Sequence, residues 1–410
     1  MTPGAGRIER FLRGLIRSGN LVVALPAGRR FELGDGAGPA IVVRVADTLT
    51  LAKIAAQPYL GLAEAYMDGR LLMEQGSIRD LLALGSKNAA AAPRTSHGPF
   101  GRWRRSLAAR AISRTTARRN VAHHYDLSLD LYRRFLDSDM QYSCAYFERP
   151  DMSLDDAQLA KKRHIASKLD LGRDQKVLDI GCGWGGLALS LAAWTGAQVH
   201  GVTLSTEQLA VANQRADASG LSNRVRFSLT DYRDVTQTYD RIVSVGMFEH
   251  VGAKQYETFF GKVADLLAED GVALLHSVGS SDPPGPVNAF TTKYIFPGAH
   301  VPSLSEVLRA VETSGLRVTD VEIQRLHYAK TLQHWRERFE ARREEIAAIY
   351  DERFCRMWEC YLAGAEMGFI YGGHMIFQIQ LTKRVDALPI TRDYMREAEL
   401  ALDTVARQAA

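Results

Sequence analysis

The run Val177-Leu178-Asp179-Ile180-Gly181-Cys182-Gly183-Trp184-Gly185-Gly186 constrains the fold more than any other stretch of this 410-residue chain. Its apolar start reads as a buried strand. The glycines that follow read as a tight turn opening a helix, because glycine adopts positive φ at no steric cost and lets the backbone approach a ligand closely. Strand patterns at 176–180, 198–203, 225–229, 241–245 and 272–278 are interleaved with helical patterns at 186–194, 207–219 and 256–267. Such alternation predicts an α/β fold with a parallel sheet covered by helices on both faces. Runs at 317–324 and 375–382 would complete the sheet, the last as an antiparallel partner. From about 280 to 350 lies a mostly helical insertion. It follows the carboxyl end of a strand, where ligands of open α/β sheets bind, so it is placed to act as a lid.

Ahead of this domain, assigned to 121–410, residues 1–86 read as a small α+β domain. Short strand-like runs at 21–25, 29–33 and 41–45 are divided by Pro and Gly turns, and helical patterns follow at 51–67 and 77–84, broken at Asp68-Gly69. Ile8, Phe11, Leu12, Leu15 and Ile16 form the apolar stripe of a short amphipathic helix, expected to pack on the protein's own core. Residues 87–120 read as a basic linker or surface lobe.

The glycine turn admits two ligand readings. Gly181, Gly183 and Gly186 fit the G-x-G-x-x-G of dinucleotide sites, but that reading needs an acid at the end of the next strand, and His200-Gly201-Val202-Thr203-Leu204-Ser205 has none. Asp179, two residues before the first glycine, belongs instead to the pattern of S-adenosylmethionine methyltransferases, where an acid under the turn meets the ligand's ammonium group. The methyltransferase reading is therefore preferred.

Further motifs carry a specific resemblance. HHYDLSLDLYRRFLDSDMQYSCAYF, VLDIGCGWGGLA, GVTLSTEQ, DYRD, DRIVSVGMFEHVG, LLHSVG, KYIFPGAHVPS and YAKTLQHW run in order over about residues 120–385. In these the chain resembles the cyclopropane-fatty-acyl-phospholipid synthases, lipid-modifying methyltransferases related to the mycolic acid cyclopropane synthases. YLGLAEAYMDG also resembles the small leading domain of the phospholipid-acting members. The resemblance implies a Rossmann-like class I methyltransferase sheet. It implies Tyr142 and Ser143 beside the methionine end of the cofactor, with Asp179, Gly181, Gly183 and Gly185 beneath it. Thr203 and Gln208 would hold the ribose, and Asp231, Tyr232 and Arg233 would border the adenine.

The implied reaction adds a methylene group from S-adenosylmethionine to the cis double bond of an unsaturated phospholipid acyl chain. In related enzymes a bound bicarbonate takes the proton lost on ring closure, and the implied holders here are Cys144, Glu249, His276, the backbone of Val278 and Tyr328. Neutral His, Tyr hydroxyl and N–H groups donate to an anion, and a nearby carboxylate can share a proton with it. Phe248 and Tyr146 offer aromatic faces to positive charge. No metal is expected. Other readings are alkene methylation giving a methyl- or methylene-branched chain, N-methylation of a small amine, and a non-catalytic lipid-binding protein. Where many members carry a cysteine in Y-L-x-x-C, this chain has Ala365, so no thiol role is carried over to Cys360; Glu366 beside it has no assignment.

Charge distribution completes the expectation. The chain totals +4, yet 81–125 contains no acid and carries Lys87 and eight arginines. That window is +9, so the remainder is −5. A substrate held in a bilayer makes this segment, with Arg102, Arg104 and Arg105, a candidate device for an anionic membrane surface; no nucleic-acid motif accompanies it. Four cysteines without zinc-ligand spacing, and no apolar run long enough to span a bilayer, lead to an expected cytoplasmic enzyme on the inner face of the membrane, with a homodimer as the family expectation.

Overall fold

The computed structural model describes residues 3–92 and 128–409. These form two compact units. One joins the described part of Met1–Arg102 with Val287–Pro297 and Leu332–Gly373; the other joins the described part of Trp103–Pro286 with Gly298–Thr331 and His374–Ala410.

The first unit contains a four-stranded sheet of β1 (Asn20–Ala24), β2 (Arg30–Gly34), β3 (Ile41–Val45) and β4 (Leu71–Gln75), ordered β2-β1-β3-β4. Strand alternation turns Leu21, Val23, Phe31, Leu33, Ile41, Val43 and Val45 inward. β4 carries no such alternation and was not expected from the sequence; only Leu71 of its five residues is buried. The helix begun by α1 (Pro3–Leu15) leaves Phe11 and Leu15 exposed rather than packed inside. The single helical pattern at 51–67 is two helices, α2 (Thr48–Ala56) and α3 (Pro58–Met67), because Pro58 lacks the N–H that would continue the first. α4 (Ile78–Ala91), opened by a Ser77–Asp80 capping box, runs past the expected boundary at 86. Buried Asn88 holds it there by accepting the N–H groups of Arg17 and Ser18 at 2.8 and 3.0 Å.

Parts of the expected lid pack with this unit. Lys293 and Tyr294 both donate to Glu64, at 2.6 and 2.8 Å. Glu366 lies on α13 (Glu352–Ile370), which follows α11 (His327–Ala341) and α12 (Arg343–Ile349). Its buried carboxylate is forked by Arg79 of α4, with Nη2 at 2.6 Å, and is approached by Arg336 at 3.4 Å. The 280–350 stretch is thus divided between the units instead of forming one insertion, because these ion pairs and hydrogen bonds fasten 287–297 and 332–373 to N-terminal residues.

The second unit is a seven-stranded sheet ordered β10-β11-β9-β8-β5-β6-β7. β5 (Lys176–Ile180), β6 (Gln198–Thr203), β7 (Val225–Leu229), β8 (Tyr239–Val245) and β9 (Leu267–Ser280) are parallel. β11 (His374–Thr382) runs antiparallel between β9 and β10 (Arg317–Gln324). One core cluster includes Ile180, Phe248, Phe259, Phe260, Val307 and Phe377; another includes Ile165, Val177, Leu191, Val199, Phe227 and Leu274. Helices α7 (Gly186–Thr195), α8 (Thr206–Ala218), α9 (Tyr256–Leu266) and α10 (Leu304–Glu312) flank the sheet. This is a Rossmann-like class I methyltransferase fold, with a small α+β part preceding it. Strand order reverses at β5, which neighbours both β6 and β8, so a crevice opens at its carboxyl end.

α5 (Leu129–Phe135) precedes the loop 136–153, and α6 (Leu154–Lys168) follows it. α6 buries twelve of its fifteen residues, five of them basic. α14 (Asp393–Ala409) packs along it, placing Asp403 2.6 Å from Arg163 and Glu399 2.5 Å from His164. The Arg-rich segment at 93–119, with Arg102, Arg104 and Arg105, lies outside the described residues.

Candidate active site

A cleft opens where the glycine turn leaves β5. Gly181 has φ +86°, and a Cβ there would stand 2.7 Å from that of Met247. Gly185 has φ +84°, where a Cβ would meet Phe227 at 2.6 Å. The turn can therefore hold this shape only as glycine, leaving its backbone open to the cleft. Asp179, Gly181 and Gly183 line it; Gly185 does not, and serves as the left-handed residue from which α7 starts.

Tyr142 and Ser143 line one wall. Tyr142 is set by edge-on rings of Tyr132 and Phe135, at 5.3 and 6.3 Å. Thr203 and Gln208 line another part, tied by a 2.8 Å hydrogen bond from Thr203 Oγ1 to Gln208 Oε1. Asp231, Tyr232 and Arg233 also line it, with the Asp231 carboxylate forked by Arg233 at 2.8 and 2.6 Å. Asp179 Oδ2 is buried with no hydrogen-bond partner among the described residues, and burial pushes its carboxyl up to about 7 against the pull of Lys161. An unpartnered carboxylate oxygen in a glycine-floored cleft suits a ligand carrying an ammonium group.

The residues expected around an anion lie outside the lining of this cleft; Cys144 and Glu249 each adjoin a residue that lines it. Glu249 follows the end of β8 between Met247 and His250. Its Oε1 accepts the Val278 N–H at 2.6 Å, while Oε2 is buried without a partner among the described residues. Burial pushes this carboxyl up to about 7. The Val278 N–H is thereby engaged by Glu249 and not directed at an anion as expected.

His276 lies two positions before Val278 on β9, on the same strand face. Gln378 of β11 donates its amide N–H to His276 Nδ1 at 3.1 Å. Burial lowers the ring's value to about 3, so it is neutral and carries its proton on Nε2, which has no partner among the described residues. A buried N–H without an acceptor is costly and calls for a ligand.

Cys144 is fully buried and its thiol pushed up by burial, so it is no nucleophile. The neighbouring Ala145 N–H donates to Thr331 Oγ1 at 3.0 Å, one helical turn along α11 from half-buried Tyr328. The aromatic faces expected near charge are engaged elsewhere. Phe248 is in the core against Tyr256, Phe259 and Phe260, and Tyr146 stacks with His164 and His327 at 4.2 and 5.0 Å.

The sequence reading missed Gln141, Trp184 and His250, which also line the cleft. All three stand inside motifs that were recognised, and adjacency to named residues was the available signal. Burial lowers His250 to about 4, so it is neutral.

Comparison with known proteins identifies the family. Residues 112–379 match the family described as mycolic acid cyclopropane synthetase, and residues 12–97 match a domain of unknown function. A probable fatty acid methyltransferase of Pseudomonas putida is 37% identical over 90% of this chain and 94% of its own length. The cyclopropane-fatty-acyl-phospholipid synthase of Escherichia coli K12 is 38% identical over 86% of this chain and 90% of its own. The crystal structure of mycolic acid cyclopropane synthase CmaA1 with SAH and CTAB superposes with a TM-score of 0.61 at 35% identity, covering 64% of this chain and 97% of that one.

Proposed function

The chain belongs to the cyclopropane-fatty-acyl-phospholipid and mycolic acid cyclopropane synthase family of S-adenosylmethionine-dependent lipid methyltransferases, and from that premise we propose that it forms a cyclopropane ring on the cis double bond of unsaturated phospholipid acyl chains, with bicarbonate as base. The observation that carries this reading is the pair of buried, unpartnered polar atoms, Glu249 Oε2 and His276 Nε2.

When bound, S-adenosylmethionine supplies an electrophilic methyl group, and bicarbonate supplies a base for the proton that group loses as the ring closes. Asp179 would meet the α-ammonium, Tyr142 and Ser143 the methionine end, Thr203 and Gln208 the ribose, and Tyr232 and Arg233 the adenine. His276 Nε2–H would donate to the anion, with Cys144 and Tyr328 around it. Glu249, poised near neutrality, can hold a proton against the anion and relay it onward. An alkene needs no base to become nucleophilic, so these groups act after methyl transfer. Buried His276 and the buried Oε2 of half-buried Glu249 would help keep water from a developing carbocation.

A methyl- or methylene-branched product is the second reading, in line with the probable fatty acid methyltransferase among the relatives. A methylene branch would follow if a hydride moved from the methylated carbon to the neighbouring cation before the added methyl lost its proton, and a methyl branch if the proton left a chain carbon instead.

The enzyme would dock reversibly through its +9 segment on the anionic inner face of the cytoplasmic membrane, as a homodimer. No helix among the described residues is long and apolar enough to cross a membrane.

The test is incubation with S-adenosylmethionine and liposomes of unsaturated phospholipid, followed by acyl-chain analysis. A chain one CH₂ heavier that resists hydrogenation supports the ring; one that takes up hydrogen supports the branched product. Removal of dissolved bicarbonate should slow the reaction, and its return should restore it. Unchanged chains despite cofactor binding would sink both readings.

A further inference from the structure

α6 carries a lysine that the reaction just described does not use. Lys161 is 1% exposed, in a helix that buries twelve of its fifteen residues. Its Nζ donates to Gln141 Oε1 and to Ser143 Oγ, both at 2.7 Å. Gln158, one turn earlier on the same helix face, donates to the backbone carbonyls of Gln141 and Ser143 at 3.1 and 2.9 Å. Lys162 reaches Asp139 at 2.6 Å. The stretch 139–143, of which 140–143 line the cleft, is therefore clamped by three side chains of α6, those of Gln158, Lys161 and Lys162.

Groups from every side act on this ammonium. Asp137, Asp139 and Cys144 face it from the loop before α6, and Lys162 from its own helix. Its charge in turn acts on Asp179 at the end of β5 and on His276 of β9. Cys182, in the glycine turn, is the other titratable group coupled to Asp179, and its thiol is held protonated by burial. His250 lines the cleft in neutral form. Lys161 is the cation that opposes the burial of the Asp179 carboxylate.

We propose that Lys161 is a positioning residue of the cofactor site: it fastens the Gln141–Ser143 wall and keeps Asp179 ionised to meet the α-ammonium of the cofactor. This rests on the cofactor reading above. Lysine suits the task because its ammonium is a compact point charge with three donors, here given to two loop side chains while its field reaches the carboxylate. A neutral residue in its place would leave Asp179 free to take up a proton, and a carboxylic acid has no charge with which to hold an ammonium.

The experiment is calorimetric binding of S-adenosylhomocysteine, which carries the same ammonium and requires no turnover, to the full chain between about pH 5.5 and 8.5. Wild type, Lys161→Met and Lys161→Gln are compared after thermal melts establish that they fold. Wild-type affinity should fall as pH drops below about 7, where Asp179 takes up its proton. In the variants that fall should begin about one pH unit higher, with affinity at neutral pH roughly tenfold lower. A variant that weakens binding equally at every pH, with an unmoved midpoint, would overturn the proposal and leave Lys161 a packing residue. In wild type, 5′-methylthioadenosine lacks the ammonium and should bind without the acid-side loss; an equal loss for both ligands would also overturn it, even if neither variant folds. A wild-type chain that binds neither ligand would instead refute the cofactor reading.

Discussion

Gln378 donates to His276 Nδ1 at 3.1 Å, across 102 positions of sequence. The bond decides which ring nitrogen keeps the proton, and so makes the imidazole a donor on its Nε2 side. Gln378→Leu should free Nδ1 to carry the proton instead. The expected result is a loss of about tenfold to a hundredfold in kcat with little change in cofactor affinity, read by steady-state kinetics beside calorimetry.

Glu249→Gln separates activity from stability. The wild-type carboxyl is raised above its unfolded value, so its contribution is complete below the ordinary carboxylate range, near 4, and is lost as pH rises to about 7. The amide has no charge to bury. The variant should therefore be more stable than wild type at about pH 8, by on the order of 2 kcal/mol, and gain little near pH 4. Turnover should fall about a hundredfold or more. Thermal melts at the two pH values check the sign.

Gly181→Ala should weaken S-adenosylhomocysteine binding at least about tenfold and cost about 1–3 kcal/mol of stability. A Cβ there stands 2.7 Å from that of Met247, which lines the cleft. Shortening Met247 to Ala alongside leaves its Cβ in place and the φ of +86° unchanged, so recovery should be partial at most. Full recovery in the double variant would show that backbone conformation is unimportant at this turn.

Arg79→Ala should cost about 2–4 kcal/mol in urea unfolding, because Glu366 would remain buried with only Arg336 at 3.4 Å to balance it. Replacing Arg79 and Glu366 together by methionine should be milder than the single change, since no charge is then stranded.

For the basic segment, the triple change of Arg102, Arg104 and Arg105 to Ala should reduce sedimentation with anionic liposomes and leave binding to neutral ones unchanged. Each lost charge is worth roughly 1 kcal/mol near such a surface. Equal sedimentation of variant and wild type would remove these arginines from the docking proposal.

The sheet was legible because strand-like and helical runs alternate from 176 to 278 and the glycine turn has few structural interpretations. α6 was legible as a helix, but its chemistry was not. Lys161, Lys162, Arg163, His164 and Lys168 are buried because partners distant in sequence meet them: Asp139 and Gln141 from the preceding loop, Glu322 from β10, Glu399 and Asp403 from α14. Local periodicity holds no information about such partners. β4 escaped for the opposite reason, since a strand with one buried residue leaves no alternation to detect. At the site, motif residues located the cleft, but the unpartnered state of Glu249 Oε2 and His276 Nε2 depends on packing alone.

The position of β11 gives the enzyme an order of assembly. It is the last strand to be synthesised, yet it lies between β9 and β10, so the sheet stays open until it inserts. Pairing at such sequence separation is slow, because the entropy of closing the loop is lost before any contact compensates it. The parallel strands that shape the cofactor cleft can associate first, whereas the histidine acquires its proton arrangement only when Gln378 arrives.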